Sequence, residues 1–276
     1  MDHRLTPANA RVAALHLKGR VNAPRYSEGA QKQLVVPQAD LLRAPGGPRE
    51  RQVLMGEALT VYDTHDGFAF VQAGRDGFVG YLPQETLGPP TRPTHWVAAR
   101  SSHLYTAPDF KMAERASLSF GAILSIVAQE GDFARTRAGD HAPLQHLRPL
   151  ANPMQDVAAV AEIFLGTPYL WGGNSATGID CSGLVQAACL ACAIACPRDS
   201  DQQESALGRA LSGNETSQRG DVFFWRGHVG MMLDTETLIH ANAHHMSVVA
   251  EPVAGAIARI AENEFGAVTS RRRPRG

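Results

Sequence analysis

No apolar run in this chain reaches the roughly 18–20 residues that a helix needs to cross a bilayer. The opening residues Met1-Asp2-His3-Arg4-Leu5-Thr6-Pro7 lack the apolar core of a secretory leader. Both absences lead to the expectation of a cytoplasmic protein without a membrane span. An excess of one charge is missing too: 26 Lys and Arg stand against 27 Asp and Glu, for a formal net charge of -1. Binding to phosphate backbones needs a basic face, so no nucleic-acid partner is expected. The one dense basic cluster, Arg271-Arg272-Arg273-Pro274-Arg275, reads as a solvated tail. Cysteine is scarce, and Cys181, Cys189, Cys192 and Cys196 crowd into one short stretch. A secreted disulfide scaffold spreads its cysteines along the chain, so these are expected to be reduced thiols.

What is present is ordinary globular material, with 44% hydrophobic and 19% charged residues in 276 positions. That length suits two or three domains of about 60–150 residues. Residues 1–33 read as a polar N-terminal arm with a helical pattern at Ala8–Leu17. Residues 34–90 change to short β segments, separated by turn signals such as His65-Asp66-Gly67 and Arg75-Asp76-Gly77. Residues 94–150 repeat the theme after a stiff linker, Pro89-Pro90-Thr91-Arg92-Pro93. The phrase at 56–72, GEALTVYDTHDGFAFVQ, lines up with GAILSIVAQEGDFARTR at 121–137, which predicts two tandem barrels of one type. Residues 151–276 read as α+β. A helix is expected near Gln155–Phe164, and a buried helix, apolar on all sides, from Cys181 to Cys196. Strands follow at Asp221–Trp225, Val229–Leu233, Thr237–Ala241 and Ser247–Glu251, then a helix at Val253–Ile260 and a strand at Val268–Arg271.

The chemistry concentrates in this last domain. Cys181 follows Asp180 at the start of the buried helix, where backbone N–H groups and the helix dipole favour a thiolate. The same N–H groups can hold the oxyanion of a tetrahedral intermediate. His228 opens one predicted strand and His240 lies on the next, so an antiparallel pair brings both to one end of the sheet. There His228 would act as general base and His240 would orient its ring.

The phrases GTPYLWGG, DCSGL, GDVFF, HVG and LIHA, in that order over roughly residues 155–245, resemble the NlpC/P60 superfamily of papain-like peptidoglycan peptidases. The β-rich segments at 34–90 and 94–150 resemble a pair of bacterial SH3-like domains. The resemblance implies two SH3-like barrels followed by a papain-like catalytic domain at 151–276. It also implies a Cys181–His228–His240 triad, with Tyr169 near the nucleophile stabilising the oxyanion. The SH3-like pair points to the branch that cuts between γ-D-glutamate and the diamino acid of short peptides with a free N-terminal L-Ala. In that branch residues beside the nucleophile and on a following loop bind the substrate's amino end, which carries over to Asp180, Ser182, Asp199 and Ser200. A free ammonium needs such carboxylate and hydroxyl acceptors. A carboxylate beside Cys181 would also raise the thiol pKa unless a cation were bound. Glu50 and Tyr81 are candidates for residues that the first SH3-like domain lends to a groove. The partner so implied is a peptidoglycan-derived peptide, and no metal or organic cofactor is expected.

Plainer readings stand beside these. Cys189, Cys192 and Cys196 repeat one helical face and read as packing. A zinc site of Cys181, His228 and His240 is the metal-binding alternative for these three side chains. Asn242, His244 and His245 compete with His240 for the orienting role. Tyr169 and Trp171 can be core aromatics, and Asp199 and Ser200 can cap the next helix. An amidase or acyltransferase on the same fold, or a binding protein with a vestigial catalytic domain, are the alternative functions.

Overall fold

Apolar and polar residues alternate through the first half of the chain and turn signals break the alternation often, a pattern that fits half-buried strands. The computed structural model describes residues 1–274. The chain divides into two compact units, Met1–Leu150 and the residues from Ala151 onward. Among the described residues no helix is long and apolar enough to cross a membrane.

In the first unit a seven-stranded sheet runs in the spatial order Arg49–Leu54, Gln38–Leu42, Val79–Pro83, Phe68–Ala73, Ala58–His65, Ala30–Leu34, Leu87–Gly88. Its longest hairpin turns on Asp66 and Gly67, whose φ angles are 49° and 79°. Two successive positive φ values give the turn whose twist matches the flanking strands, which is why an Asp-Gly pair marks it. Leu34, Leu41, Leu59, Val71 and Leu82 form the core of this sheet. A five-stranded and a three-stranded sheet follow, built around a separate core that includes Val97, Leu104, Leu118 and Ala134. The two repeated phrases occupy corresponding hairpins, and the glycines that open them, Gly56 and Gly121, both have left-handed φ, 79° and 84°.

The two β modules touch directly. Ile123 N–H donates to the Met55 carbonyl at 2.8 Å, and Arg75 donates to the Gly121 carbonyl at 3.3 Å. Gly56 sits so close that a Cβ there would lie 2.1 Å from the Ile123 carbonyl oxygen.

The expected helix at Ala8–Leu17 does not form. Asn9 Oδ1 accepts from the backbone N–H groups of Arg11 and Val12 at 2.8 and 2.9 Å, a local turn that competes with helix. Ala13–Ala14 is then a short strand and Leu15–Leu17 a single 3-10 turn. Val12, Ala13, Ala14 and Leu17 pack against Tyr62 and Phe70. The strand Ala30–Leu34 begins inside the stretch read as an arm.

The second unit is α+β. Its helices are α1 (Val157–Glu162), α2 (Cys181–Ala191), α3 (Ser200–Ala206) and α4 (Val253–Asn263). Helix α2 is shorter than the apolar run from Cys181 to Cys196. Ala193 takes a left-handed φ of 58°, and Ile194 N–H reaches back to the Cys189 carbonyl at 2.9 Å. This closing turn usually uses glycine, so alanine gave no signal for it.

An antiparallel six-stranded sheet has the spatial order Arg209–Ala210, Ser270–Arg273, Val222–Trp225, His228–Met232, Thr237–Asn242, Ser247–Pro252. Helix α4 covers one face through Ala256 and Ile260 against Phe223, Trp225, Met232 and Leu238. By the two-residue alternation, His228 and His240 belong to that face. The opposite residues Val229, Met231, Ile239 and Ala241 are fully buried. The basic cluster is therefore not a solvated tail: Ser270–Arg273 is an inner strand, and Arg273 pairs with Asp221 at 2.7 Å. Arg275 lies outside the described residues.

Contact between the β modules should show in stability. Gly67 also has positive φ, but nothing lies within 4 Å of a Cβ built there. Gly67→Ala should cost about 1–2 kcal/mol from backbone strain alone, and Gly56→Ala about 1–3 kcal/mol more from the clash. Urea unfolding of both variants measures the difference.

Candidate active site

Helix α2 begins where a glycine loop is pressed against it. Asp180 caps the helix, its Oδ1 accepting from Gly183 N–H at 2.7 Å, and Cys181 is the first helical residue. Gly172 N–H donates to Asp180 Oδ2 at 2.8 Å. A Cβ on Gly183 would lie 2.5 Å from the Gly173 carbonyl oxygen, so only glycine allows the loop this close.

Arg198, which the sequence reading did not single out, holds the assembly together. Its guanidinium is buried and donates to Asp180 Oδ2 at 2.8 Å, Ser182 Oγ at 2.7 Å, Asn174 Oδ1 at 2.9 Å and the Gly173 carbonyl at 3.3 Å. Ser182 Oγ in turn donates to Asp180 Oδ1 at 3.3 Å. A carboxylate offers about four acceptor positions. Gly172, Gly183, Ser182 and Arg198 fill those of Asp180. In the structure a cation from within the chain, the Arg198 guanidinium, sits between Asp180 and Ser182, the two residues expected beside a substrate ammonium. Asp199 and Ser200, half-buried, start α3 directly after Arg198, and Asp199 makes no capping hydrogen bond to that helix.

The two histidines do meet. His228 and His240 are hydrogen-bonded, Nε2 to Nδ1, at 2.8 Å, and both are buried. Phe265 stacks on the His228 ring at 5.2 Å and an interplanar angle of 9°. Asn242 is turned to another task, its Oδ1 accepting from His245 N–H at 2.8 Å and lying 3.0 Å from His245 Nδ1. The far side of His240 carries a second residue missed in the sequence: Glu251 Oε1 lies 2.7 Å from His240 Nε2. Glu251 is one apolar-flanked acid on an edge strand, and only strand register brings it to His240.

Electrostatics sets the resting state. Burial, and next the Asp180 carboxylate, push the Cys181 thiol up to about 12, although N–H groups of Val229 and Ser182 and the Arg198 charge oppose the rise. The thiolate expected from the helix N-terminus is thus outweighed by desolvation. The Val229 N–H at the sulfur brings the start of the His228 strand against Cys181. Burial, followed by the neighbouring His240 and Arg259, takes His228 down to about 3. The pair is thiol and neutral imidazole at neutral pH. Burial, with the Asp180 carboxylate adding to it, pushes the Tyr169 hydroxyl well above its ordinary value, so it stays an O–H donor.

The remaining candidates separate. Trp171 is 54% exposed and not a core aromatic. All four cysteines are free thiols, with Cys189 and Cys196 buried. Among the described residues no three His, Cys, Asp or Glu side chains are arranged to hold a metal. In the first unit Glu50 pairs with Arg43, and Tyr81 Oη accepts from Asn9 Nδ2 at 2.9 Å.

Residues 166–261 match the NlpC/P60 family, and residues 41–87 match the bacterial dipeptidyl-peptidase Sh3 domain. The chain is 27% identical over 237 residues to a γ-D-glutamyl-L-lysine dipeptidyl-peptidase of Bacillus cereus, covering 74% of this chain and 70% of that one. A protein of the same name from Bacillus subtilis is 28% identical over 222 residues, with 70% and 72% covered. A crystal structure of an NlpC/P60 family protein from Bacillus cereus superposes with a TM-score of 0.75 at 21% identity, covering 89% of this chain and 99% of the other, which shows a shared fold.

Removing the buried cation should be costly. Arg198→Met leaves the Asp180 charge buried and should destabilise the protein by about 3–5 kcal/mol, whereas Asp180→Asn added to it should restore part of the loss; urea unfolding reads both. The histidines predict an acid slope. His228 and His240 are held below the ordinary 6.5, so unfolding takes up protons below that pH. Stability from these rings is present above 6.5 and is lost as pH falls toward the folded values, by about 1.4 kcal/mol per pH unit for each ring. Unfolding between pH 7 and 5, where carboxylates stay ionised, should show a slope that His228→Asn reduces.

Proposed function

Taking the C-terminal unit as the NlpC/P60 domain that it is, preceded by a bacterial SH3-type domain, we propose a cysteine peptidase acting on short peptidoglycan-derived peptides. The bond cut is that between γ-D-glutamate and the diamino acid, in peptides with a free N-terminal L-Ala. One observation carries the reading: Cys181 opens α2 with the Val229 N–H at its sulfur, where the strand of the His228–His240 pair begins. Two relatives named for γ-D-glutamyl-L-lysine dipeptidyl-peptidase activity support the choice of bond.

In this mechanism His228 takes the thiol proton as Cys181 Sγ attacks the amide carbonyl, so charge separates only along the reaction path. Tyr169 and the backbone N–H groups at the start of α2 face the oxyanion. The proton passes from His228 to the departing amine of the diamino acid. Water, deprotonated by His228, then hydrolyses the thioester. Asp180, Ser182, Asp199 and Ser200 are the residues assigned to the substrate's amino end, with the Arg198 guanidinium fixing the first two.

L-Ala-γ-D-Glu-meso-diaminopimelate and its N-acetylated twin, followed by mass spectrometry beside a Cys181→Ala control, test the reading. Only the free-amine peptide should be cut, and Cys181→Ala should abolish cleavage. Asp199→Asn should raise KM about tenfold, as expected for loss of one charge-assisted contact. Equal cutting of both peptides would keep the cysteine chemistry and remove the amino-end pocket. Cleavage of neither would favour an amidase or acyltransferase on the same fold.

A further inference from the structure

The His228–His240 pair has a direction, and the direction is set outside it. A carboxylate accepts and cannot donate, so the 2.7 Å contact with Glu251 requires the proton of His240 to sit on Nε2. His240 Nδ1 is then a bare acceptor. Its 2.8 Å contact must therefore be filled by an N–H on His228 Nε2. A neutral His228 with its proton on Nε2 has its lone pair on Nδ1, the nitrogen left for the thiol. We propose that Glu251 is a positioning residue of the catalytic centre: it fixes the tautomers of His240 and, through it, of His228, so that the base faces Cys181 with its lone pair. This rests on the cysteine-peptidase reading given above.

Several features keep Glu251 in that role. Arg259, on α4, donates to the same Oε1 at 2.6 Å and also pairs with Glu264. Desolvation opposes ionisation of Glu251, but the hydrogen bonds and charges of His240 and Arg259 outweigh it and hold the carboxyl below its ordinary value. Strand register supplies the aim. His240 pairs with Val249 and Leu238 with Glu251, so the acid lies diagonally across from the imidazole on the same face. The charged and titratable groups around His240 are His228, Glu251, Arg259 and His245. When the Cys181 proton moves to His228 Nδ1, the new imidazolium keeps its Nε2 proton and shares it with His240. The only carboxylate hydrogen-bonded to this pair among the described residues is Glu251, and no proton has to leave the chain of rings for the charge to be felt there.

The arrangement is read directly by nitrogen NMR of the imidazoles in the full-length wild-type protein. Both rings should be neutral with the proton on Nε2, for His240 and for His228. A His240 protonated on Nδ1 would overturn the proposal whatever the variants do. Kinetics on the γ-D-glutamyl peptide adds a second readout. Glu251→Leu should lower kcat about 100-fold with KM changed less than about twofold, and should disturb the His240 tautomer. Glu251→Gln keeps an acceptor but loses the charge, so the tautomers should persist while kcat drops about tenfold. Wild-type kcat in a folded Glu251→Leu protein would also overturn the proposal. Undiminished cleavage by Cys181→Ala would instead overturn the cysteine reading on which it rests.

Discussion

The buried contact between Arg198 and Asp180 is the constraint from which the rest of the site follows. One guanidinium ties the helix cap, the hydroxyl of Ser182, the side chain of Asn174 and the carbonyl of Gly173 into a single unit. Removing two charges from water is expensive, and the cost is offset only when nearly every donor and acceptor is used. Here it is nearly saturated, which fixes where α2 begins and hence where Cys181 stands. The glycine loop is drawn in by the same carboxylate, through the N–H of Gly172.

Burial of this kind decides the electrostatics of Cys181. A helix N-terminus contributes less than about 2 kcal/mol toward an anion, and a nearby guanidinium helps as well. Desolvation and the Asp180 charge nevertheless win, leaving a neutral thiol beside a neutral imidazole. A site in that state is uncharged at rest, and the thiolate–imidazolium ion pair is formed only as bonds change.

The sheet performs a different task. Two adjacent antiparallel strands bring His228 and His240 together, a third brings Glu251, and α4 closes over that face with Arg259 and, just beyond its end, Phe265. Each contact is an interaction between residues far apart in the chain and close across a ladder. The β modules of the first unit repeat one hairpin plan, and a glycine of the first lies against the backbone of the second.

Much of this was legible in the residues themselves. The tandem phrases at 56–72 and 121–137 carry their own turn signals. The words around Cys181, His228 and His240 each combine a nucleophile or base with the local pattern that starts a helix or strand. Periodicity and turn chemistry act over a few residues, so one sequence displays them. The helix misread at Ala8–Leu17, the early end of α2 at Ala191 and the arginine strand at Ser270–Arg273 were decided by an Asx turn, an alanine in left-handed backbone and partners such as Asp221. The same holds for Arg198 and Glu251. The sequence by itself determined which side chains could do chemistry and on which elements they sit. Only the tertiary structure decided which of their protons and lone pairs are already spoken for, because desolvation and hydrogen-bond saturation belong to the three-dimensional neighbourhood of a group and not to its place in the chain.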